Sequence, residues 1–535
     1  MKKILALVLA AMMLLGCCSA LADDPPLKQP LIEAANALKP SENLYFENGL
    51  EITGVGMIYN NYPTAFDGCY LWPAIKNLTN TTVNVDWRVE DNYSTQIATI
   101  LASGKLPDII TAGAYGVSNL ADEGAIIPLD DYLDLIPNIV EAVGEDRMAK
   151  WRSADGHVYT IPTIVNVPGS QTVMIRKDWL DALNMSEPQT WEDWVALWRA
   201  IKANDLNGNG DPNDEIPLAL EQGATGERSL ASLLHAFGIK CSSDCQFCVL
   251  DDGTYCMVYD HPRYPEFLKA VQELYAEGLL DQGFAKRTQA ELFTVMDSNL
   301  VGTCMTWAER CRISTNALRE LGDEDALWIA VPPITGPYGD QMTQEREAVT
   351  GLWCITTAAE KAGKVEDILK WFNWFWSEEG NNLYNFGIEG VSYDMVDGEA
   401  HLKPEMVANG FVDYRQSGCE FEPFGNEWQT AAFMQCLFAG QPMDNLDDAS
   451  ASFYAGLAVV NNGKFYSMPQ TLATPEYTEY RAELITTGVC VLRDQAVVGQ
   501  LSVEDFFAQY ETLKTRGLQE VIDAGAESYA VLAGK

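Results

Sequence analysis

Strand-like and helix-like patterns alternate along the first part of the chain. Residues 52–59 are strand-like and residues 83–89 alternate cleanly between apolar and polar positions, whereas residues 72–78 and 93–101 carry apolar positions at the helical period. Residues 109–113 form a short apolar run that ends in a small-residue loop. This alternation predicts a mainly parallel sheet covered by helices, and ligands of such sheets bind outside the strand ends.

The pattern continues with a predicted strand at residues 171–175 and a short helix that opens at residues 176–180. Thr190 is predicted to cap a longer helix, with Asp193 at the capping-box position. Further helices are predicted over residues 265–277, 364–377 and 502–516. Tryptophans at helical spacing on two of these helices are interpreted as core: Trp191, Trp194, Trp198, Trp371, Trp374 and Trp376.

The length and the N-terminus indicate an exported protein with two lobes. A chain of 535 residues exceeds the roughly 250 to 300 residues at which single cores stop growing. Residues 1–22 have the charged start and short apolar run of a signal peptide, and residues 23–49 are interpreted as a tether or an early helix before a folded body that starts near Leu50. Cleavage before Cys17, which would then carry a lipid, and cleavage after Ala22 both fit, so lipid-anchored and freely secreted forms stay open.

The net charge and the cysteine content limit the classes of ligand and metal site that the protein is expected to have. The net charge of -41 disfavours binding to nucleic acid or to anionic lipid. Of 13 cysteines, 11 follow Cys18, so they cannot all pair within the chain if cleavage falls after Ala22. If cleavage falls before Cys17, Cys17 would carry the lipid and Cys18 would make the count even. Cys241, Cys245, Cys248 and Cys256 lack the spacing of a two-knuckle zinc site, so disulfides or plain thiols are favoured.

Seven segments occur in an order that resembles the family 1 extracellular solute-binding proteins of ABC importers, especially the subgroup for oligosaccharide uptake. They cover most of the chain from residue 106 onward. In order they are 106–110 (LPDII), 156–162 (GHVYTIP), 175–180 (IRKDWL), 205–217 (DLNGNGDPNDEIP), 274–281 (LYAEGLLD), 332–337 (PPITGP) and 387–393 (GIEGVSY).

The resemblance implies an α/β, two-lobed periplasmic-binding-protein-like fold of type II, with a hinge and a ligand cleft between the lobes. Residues 50–170 plus about 300–350 are expected in the first lobe, and residues 171–299 plus about 351–535 in the second. The resemblance also implies a monomer outside the cytoplasm that delivers a small ligand, expected to be an oligosaccharide, to ABC permease subunits. It implies no catalytic residue.

The acidic glycine loop at residues 205–217 predicts a structural Ca²⁺ site. Side chains that carry oxygen atoms occur at alternate positions, and a glycine stands at the sixth position, as in a calcium-binding loop. Asp211, at the seventh position, would contribute its backbone carbonyl. Position 12 is Ile216, so an EF-hand is not expected; the resemblance implies closure by Asp214 and Glu215, although one extra residue leaves Asn213 and Glu215 as alternatives. A turn held by Asx hydrogen bonds without metal is the alternative. The candidate ligands are Asp205, Asn207, Asn209, Asp211, Asn213, Asp214 and Glu215.

Candidate ligand-binding residues lie where strands are predicted to end in loops, because aromatic faces stack on sugar rings while polar neighbours bind the hydroxyls. Arg310 and Glu309 could orient a polar ligand, and Arg310 could pair with the carboxylate of an acidic ligand; an ordinary surface ion pair is the alternative. The candidates are Tyr59, Asn60, Asn61, Tyr115, Trp307, Arg310, Trp353 and Trp428.

Two other functions remain open. A secreted enzyme acting on glycosides would need two facing carboxyl groups, but no hydrolase motif frames such a pair among the 76 acidic residues. The sequence also carries no nucleophile elbow, zinc-protease motif or phosphate-binding loop. A ligand sensor or a peptide binder on the same fold is the other alternative.

Overall fold

The chain folds into two compact units, each assembled from separate stretches of sequence. A computed structural model describes residues 27–58, 69–89, 93–153, 155–164, 171–221, 230–241, 247–344, 349–408, 447–461, 465–466 and 474–532. Unit 1 comprises Met1–Asn166 and Ala348–Met443, and unit 2 comprises Val167–Glu347 and Asp444–Lys535.

The strands, in chain order, are β1 (Leu50–Ile58), β2 (Thr81–Val89), β3 (Ile109–Thr111), β4 (Thr160–Ile164), β5 (Gln171–Arg176), β6 (Ile216–Ala219), β7 (Phe247–Val249), β8 (Tyr255–Met257), β9 (Val301–Trp307), β10 (Trp328–Val331), β11 (Thr343–Gln344), β12 (Val349–Ile355), β13 (Tyr393–Val396), β14 (Glu399–Leu402) and β15 (Phe465–Tyr466).

The α-helices, in chain order, are α1 (Lys28–Ala37), α2 (Leu71–Thr79), α3 (Tyr93–Ser103), α4 (Val117–Asp122), α5 (Pro137–Val143), α6 (Glu145–Trp151), α7 (Lys177–Ala182), α8 (Trp191–Lys202), α9 (Ala231–Ala236), α10 (Tyr264–Ala276), α11 (Gln289–Asp297), α12 (Arg310–Glu320), α13 (Thr357–Lys361), α14 (Val365–Phe375), α15 (Glu378–Phe386), α16 (Pro404–Ala408), α17 (Asp448–Asn461), α18 (Pro475–Tyr480), α19 (Cys490–Val497), α20 (Val503–Leu513) and α21 (Gln519–Leu532).

Unit 1 is built on a five-stranded sheet in the order β2-β1-β3-β12-β4. The predicted parallel pairing is confirmed for β1 with β2 and with β3, whereas β12 runs antiparallel to β3 and β4. Asp108 just before β3 accepts hydrogen bonds from the backbone N–H and hydroxyl of Thr53, at 2.8 and 2.9 Å, and forms an ion pair with Lys364 at 3.0 Å. The LPDII segment therefore joins β1, β3 and the start of α14.

Unit 2 is built on a four-stranded sheet in the order β10-β5-β9-β6. β6 and β9 are parallel, and β5 runs antiparallel to β9 and β10. Arg176 at the end of β5 is fully buried, stacks on Trp179 at 4.8 Å, and binds Asp178 and Asp323. The IRKDWL segment therefore supplies a buried ion cluster at one end of this sheet.

The predicted cap and most of the predicted core tryptophans are confirmed. Thr190 and Asp193 form a capping box at the start of α8. Four of the six tryptophans assigned to the core are at most 3% exposed: Trp194, Trp198, Trp371 and Trp374. Trp191 and Trp376 are half-buried against the cores of unit 2 and unit 1, respectively. Helical patterning therefore identified core aromatics in both units.

The division of the chain differs from the expected lobes at residues 300–350 and 351–443. Strand β9 pairs with β5 and β6, so residues 301–307 belong to the sheet of unit 2. Strand β12 pairs with β3 and β4, and Trp371 of α14 is buried in the unit 1 core, so this part of the chain belongs to unit 1. The assignment of residues 50–164 to unit 1 and of residues 447–532 to unit 2 follows the expectation.

The folded body begins before Leu50. Helix α1 packs on α2 and buries Leu31 and Ala35 in the unit 1 core, so the early-helix interpretation applies to residues 28–37. No helix within the described ranges is both long and apolar enough to cross a membrane. The signal-peptide region and Cys17 lie outside the described residues.

Candidate ligand-binding site

Four of the predicted ligand-binding residues lie outside the described part of the chain: Tyr59, Asn60, Asn61 and Trp428. The other four fall in two places. Trp307 and Arg310 follow β9 in unit 2, whereas Tyr115 and Trp353 belong to unit 1.

In unit 2, the candidate site is the sheet edge where β6 and β9 end. The two strands are parallel, with Ala219 opposite Cys304, so their carboxyl ends meet at the same edge. Trp307 is the last residue of β9, pairs with Gln171 at the start of β5, and is half-buried. An aromatic side chain therefore lies at the strand end, as the sequence predicted.

Arg310 has a structural partner at this edge. Its Nη2 atom donates to both carboxylate oxygens of Asp297, at 2.6 and 2.7 Å, and its guanidinium lies 4.2 Å from the ring centre of Phe293. The side chain is only 9% exposed. Of the roles considered from the sequence, the ion pair is the one the structure shows, and it is buried rather than on the surface.

Two further charged residues, Glu309 and Arg312, lie on either side of Arg310 in the sequence. Glu309 is half-buried, and burial raises the pKa of its carboxyl to about 7, against the opposing effect of Arg310 and Arg312. The Nε atom of Arg312 is buried and has no hydrogen-bond partner. A carboxyl group that titrates near neutrality both donates and accepts hydrogen bonds, which suits a hydroxyl-rich ligand. The sequence feature that points to these two residues is the run of charged residues directly after an apolar strand.

In unit 1, Tyr115 and Trp353 have different environments. Tyr115 is half-buried after β3, and its hydroxyl donates to Glu123; burial and this carboxylate raise the pKa of the phenol to about 12. Trp353 is 1% exposed within β12, with its ring centre 6.1 Å from that of Trp87. The prediction that Trp353 contacts ligand is therefore corrected: the ring fills the core above Gly56, where a Cβ would lie 3.1 Å from it.

Unit 1 also contains an open groove of about 690 Å³ along β2. Its lining includes Trp72, Trp87, Asn84 and Arg88. Its volume lies within the range of small-molecule sites, and it combines aromatic and polar side chains as such sites do. None of the predicted ligand residues lines it, because a single sequence does not show that β2 is the edge strand of the sheet.

The acidic glycine loop is stabilised by Asx turns. The side-chain oxygens of Asn207, Asn209 and Asp211 each accept the backbone N–H two residues later, at 3.0, 2.7 and 3.1 Å. Asp205 accepts the N–H of Gly210 at 2.9 Å. Asp214 accepts the side-chain amides of Asn207 and Asn209 at 3.1 and 2.6 Å. These hydrogen bonds are the ones expected for a turn that Asx hydrogen bonds stabilise without a metal ion.

Glu215 is the loop residue with an unsatisfied oxygen. It is 3% exposed, and its Oε1 accepts the N–H of Leu206 at 2.8 Å. Its Oε2 is buried without a hydrogen-bond partner, which is costly for a carboxylate unless a cation or donor compensates. Among the described residues no group of three His, Cys, Asp or Glu side chains is arranged as a metal site. The oxygen-only donor set and the orphaned Oε2 nevertheless fit a hard cation such as Ca²⁺.

One family model and several known proteins match parts of this chain. Residues 70–227 match the model of the bacterial extracellular solute-binding protein family. The fructooligosaccharide ABC transporter substrate-binding protein FusA of Streptococcus pneumoniae serotype 4 is 29% identical over 276 residues, which is 49% of each chain. The chain thus matches about half the length of this relative. Lipoprotein LipO of Bacillus subtilis is 23% identical over 410 residues, 74% of each chain.

Solved structures show the same fold. An extracellular solute-binding protein from Bifidobacterium longum subsp. infantis has a TM-score of 0.70 and 18% identity, covering 91% of this chain and 99% of that one. A FusA EF-hand mutant in complex with fructo-nystose has a TM-score of 0.67 and 19% identity, covering 91% and 100%. The chain is therefore similar to bacterial extracellular solute-binding proteins over residues 70–227, and its fold is the two-lobed α/β fold of these solved structures.

Proposed function

We propose that this protein captures an oligosaccharide outside the cytoplasm and delivers it to the permease of an ABC importer, without chemical conversion of the ligand. Support comes from the relative FusA, which binds fructooligosaccharides for such a transporter. It also comes from the β9 edge of unit 2, where the half-buried Trp307 lies two residues from the carboxyl group of Glu309. The placement of Trp307 at a strand end is the observation that carries the proposal.

The chemistry of this edge suits a sugar. An indole face covers the apolar face of a pyranose or furanose ring, while a carboxyl and a guanidinium group bind the hydroxyls around it. Glu309 and Arg312, which follow Trp307 in the sequence, would supply these polar groups, and the ion pair of Arg310 with Asp297 holds the start of α12 in place. We assign the ligand contact in unit 2 to these side chains.

The test is calorimetric titration with a series of fructooligosaccharides, with uronates and short peptides for comparison. We expect saturable binding of saccharides without consumption, and we expect Trp307→Ala to weaken it at least about tenfold, or roughly 1.4 kcal/mol. Tyr338→Ala is the matched control, because that exposed ring contacts Arg263 and Glu266 rather than β9. Turnover of the saccharide would make the protein an enzyme, and a response to peptides alone would refute the ligand class.

We also propose that the loop at residues 205–215 binds a structural Ca²⁺ ion. Glu215 is the favoured acidic ligand, because its Oε2 is buried and unsatisfied, whereas Asn213 is exposed and bonded to Asp211. Asp205 and Asp214 would add carboxylate oxygens, Asn207 and Asn209 would add side-chain carbonyl oxygens after their amide groups rotate, and Asp211 would add its backbone carbonyl. The ion would compensate the buried charge and brace the turn that leads into β6.

A further inference from the structure

Three buried cysteines of unit 2 lie side by side on short strands. Strands β7 and β8 form an antiparallel hairpin in which Cys248 is directly opposite Cys256. Cys241 pairs with Cys248 from the other side in an antiparallel bridge. Cys248 is therefore the central member of the row, with one cysteine neighbour on each side.

The geometry of the hairpin brings one pair within reach of a covalent bond. Directly opposed residues of antiparallel strands have Cα atoms about 4.5 to 5.5 Å apart, which lies within the range that disulfides span. The Sγ atoms of Cys248 and Cys256 are 3.6 Å apart and share a thiol hydrogen bond. The register is fixed by bonds between Leu250 and Thr254 at 2.9 Å and between Gly253 and Leu250 at 2.9 Å. Side-chain rotation alone can thus close the bond.

We propose that Cys248 and Cys256 form a disulfide in the exported protein. This rests on the export included in the proposed function, because thiols of an exported chain meet an oxidising environment. The oxidant is a disulfide, either a small-molecule disulfide or that of a thiol oxidase. The Cys256 thiolate attacks one sulfur of the oxidant and releases its other half as a thiolate. Cys248, after losing its proton, attacks the Cys256 sulfur and releases the second half. Two protein thiols and the disulfide of the oxidant become one protein disulfide and two thiols of the oxidant.

The exposure and the pKa of the two cysteines determine which of them reacts first. Cys256 is 8% exposed and Cys248 is fully buried, so an external disulfide reaches Cys256 first. The hydrogen bond from Cys248 lowers the pKa of the Cys256 thiol, and Lys514 adds to this effect while Asp260 opposes it. Lys514 is held 2.6 Å from Asp260. Low pKa and access are what make a thiol the attacking one.

Other thiols of the described chain have the opposite environment. Burial raises the pKa of Cys311 and of Cys354 to about 12, and both are fully buried. Cys490 is 3% exposed. Cys69 of unit 1, by contrast, is disulfide-bonded. The described chain thus contains an oxidised cysteine as well as thiols that burial protects, and Cys256 differs from the latter in its greater exposure and its lowered pKa.

The disulfide would also stabilise the stacked aromatic rings that connect the β7–β8 hairpin to the C-terminal helix α21. Phe247 stacks on Tyr255 at 4.8 Å between ring centres, and Tyr255 stacks on Tyr529 of α21 at 4.8 Å. A Cβ on Gly525 of the same helix would lie 3.0 Å from the Phe247 ring. Tying β7 to β8 therefore also stabilises the contact of the hairpin with α21.

The experiment compares the full mature chain before and after incubation with oxidised glutathione. After alkylation of free thiols under denaturing conditions, cleavage before aspartate separates Cys241, the peptide 244–250 with Cys245 and Cys248, and the peptide 252–259 with Cys256. We expect the last two peptides to be linked, and a Cys245→Ser variant to keep the link. We expect reduction with dithiothreitol to lower the melting temperature by roughly 5 °C, as for a short closed loop.

Matched variants separate the disulfide from general damage to the core. Cys248→Ala/Cys256→Ala should melt near the reduced wild type and lose the response to dithiothreitol, whereas Cys490→Ser should keep that response. Alkylation of both thiols after oxidation, or a link between Cys241 and Cys248 instead, would overturn the proposal. Saccharide binding measured in both redox states reports on the proposed function separately, because the hairpin does not contribute Trp307.

Discussion

Replacement of Glu215 by glutamine should remove the response of the protein to calcium. With the proposed Ca²⁺ site, calcium at one hundred times its dissociation constant should add about 2.7 kcal/mol to the free energy of unfolding of the wild type. For a unit of this size, each kcal/mol shifts the melting temperature by roughly 2 to 4 °C, so chelation should lower it by about 5 to 10 °C. Glu215→Gln removes the charge of the buried, unsatisfied Oε2 but keeps an oxygen that can accept the N–H of Leu206.

The assay is a thermal melt of each variant in calcium and in chelator, with calorimetric titration of calcium into the chelated protein. We expect Glu215→Gln to shift by less than about 2 °C between the two conditions. Asp211→Asn is the control, because its side-chain oxygen serves the turn to Asn213 and its backbone carbonyl would bind the ion. A wild type that ignores the chelator, or a Glu215→Gln variant with the full calcium shift, would refute the reasoning.

Two further predictions concern buried charges of unit 2. Burial raises the pKa of Glu309 in the folded protein to about 7, above its unfolded value of about 4.5. The contribution of Glu309 to the free energy of unfolding is therefore fully present below about pH 4.5 and is lost as the pH rises through about 7. Glu309→Gln should flatten this decline in urea melts between about pH 5 and 8, and an unchanged slope would contradict the assignment. Arg176→Met should lower the free energy of unfolding by about 3 to 5 kcal/mol, because it leaves the carboxylates of Asp178 and Asp323 without their buried cation. A loss below about 1 kcal/mol in the same urea melts would contradict this expectation and show that water already solvates the two carboxylates.

Local features of the fold were readable from the sequence. The capping box of Thr190, the alternation that became β2 and the helical spacing of Trp371 and Trp374 each depend on residues a few positions apart. The LPDII segment was recognisable as a motif, but its physical role was not. That role depends on Thr53 and Lys364, which are distant in sequence from Asp108.

Features that depend on distant partners were not readable. The position of Trp353 after a glycine suggested a loop, but pairing of β12 with β3 and β4 placed the ring in the core. The lobe assignment of residues 300–350 failed for the same reason, since nothing local shows which sheet a strand joins. Trp307 was correctly placed at a strand end, because an apolar run followed by charged residues is a local signal. Arg310 was ambiguous because its partner, Asp297, lies on the preceding helix.

The interleaving of the two units along the chain has a consequence for biogenesis. The sheet of unit 1 lacks a strand until residues 349–355 have been made, and the core of unit 2 includes Leu484, Phe506 and Val521 near the C-terminus. A nascent chain therefore exposes unfinished cores for most of its synthesis, and its contacts are long-range and slow to form. The order of segments along the chain therefore delays the completion of both cores until most of the polypeptide has been made.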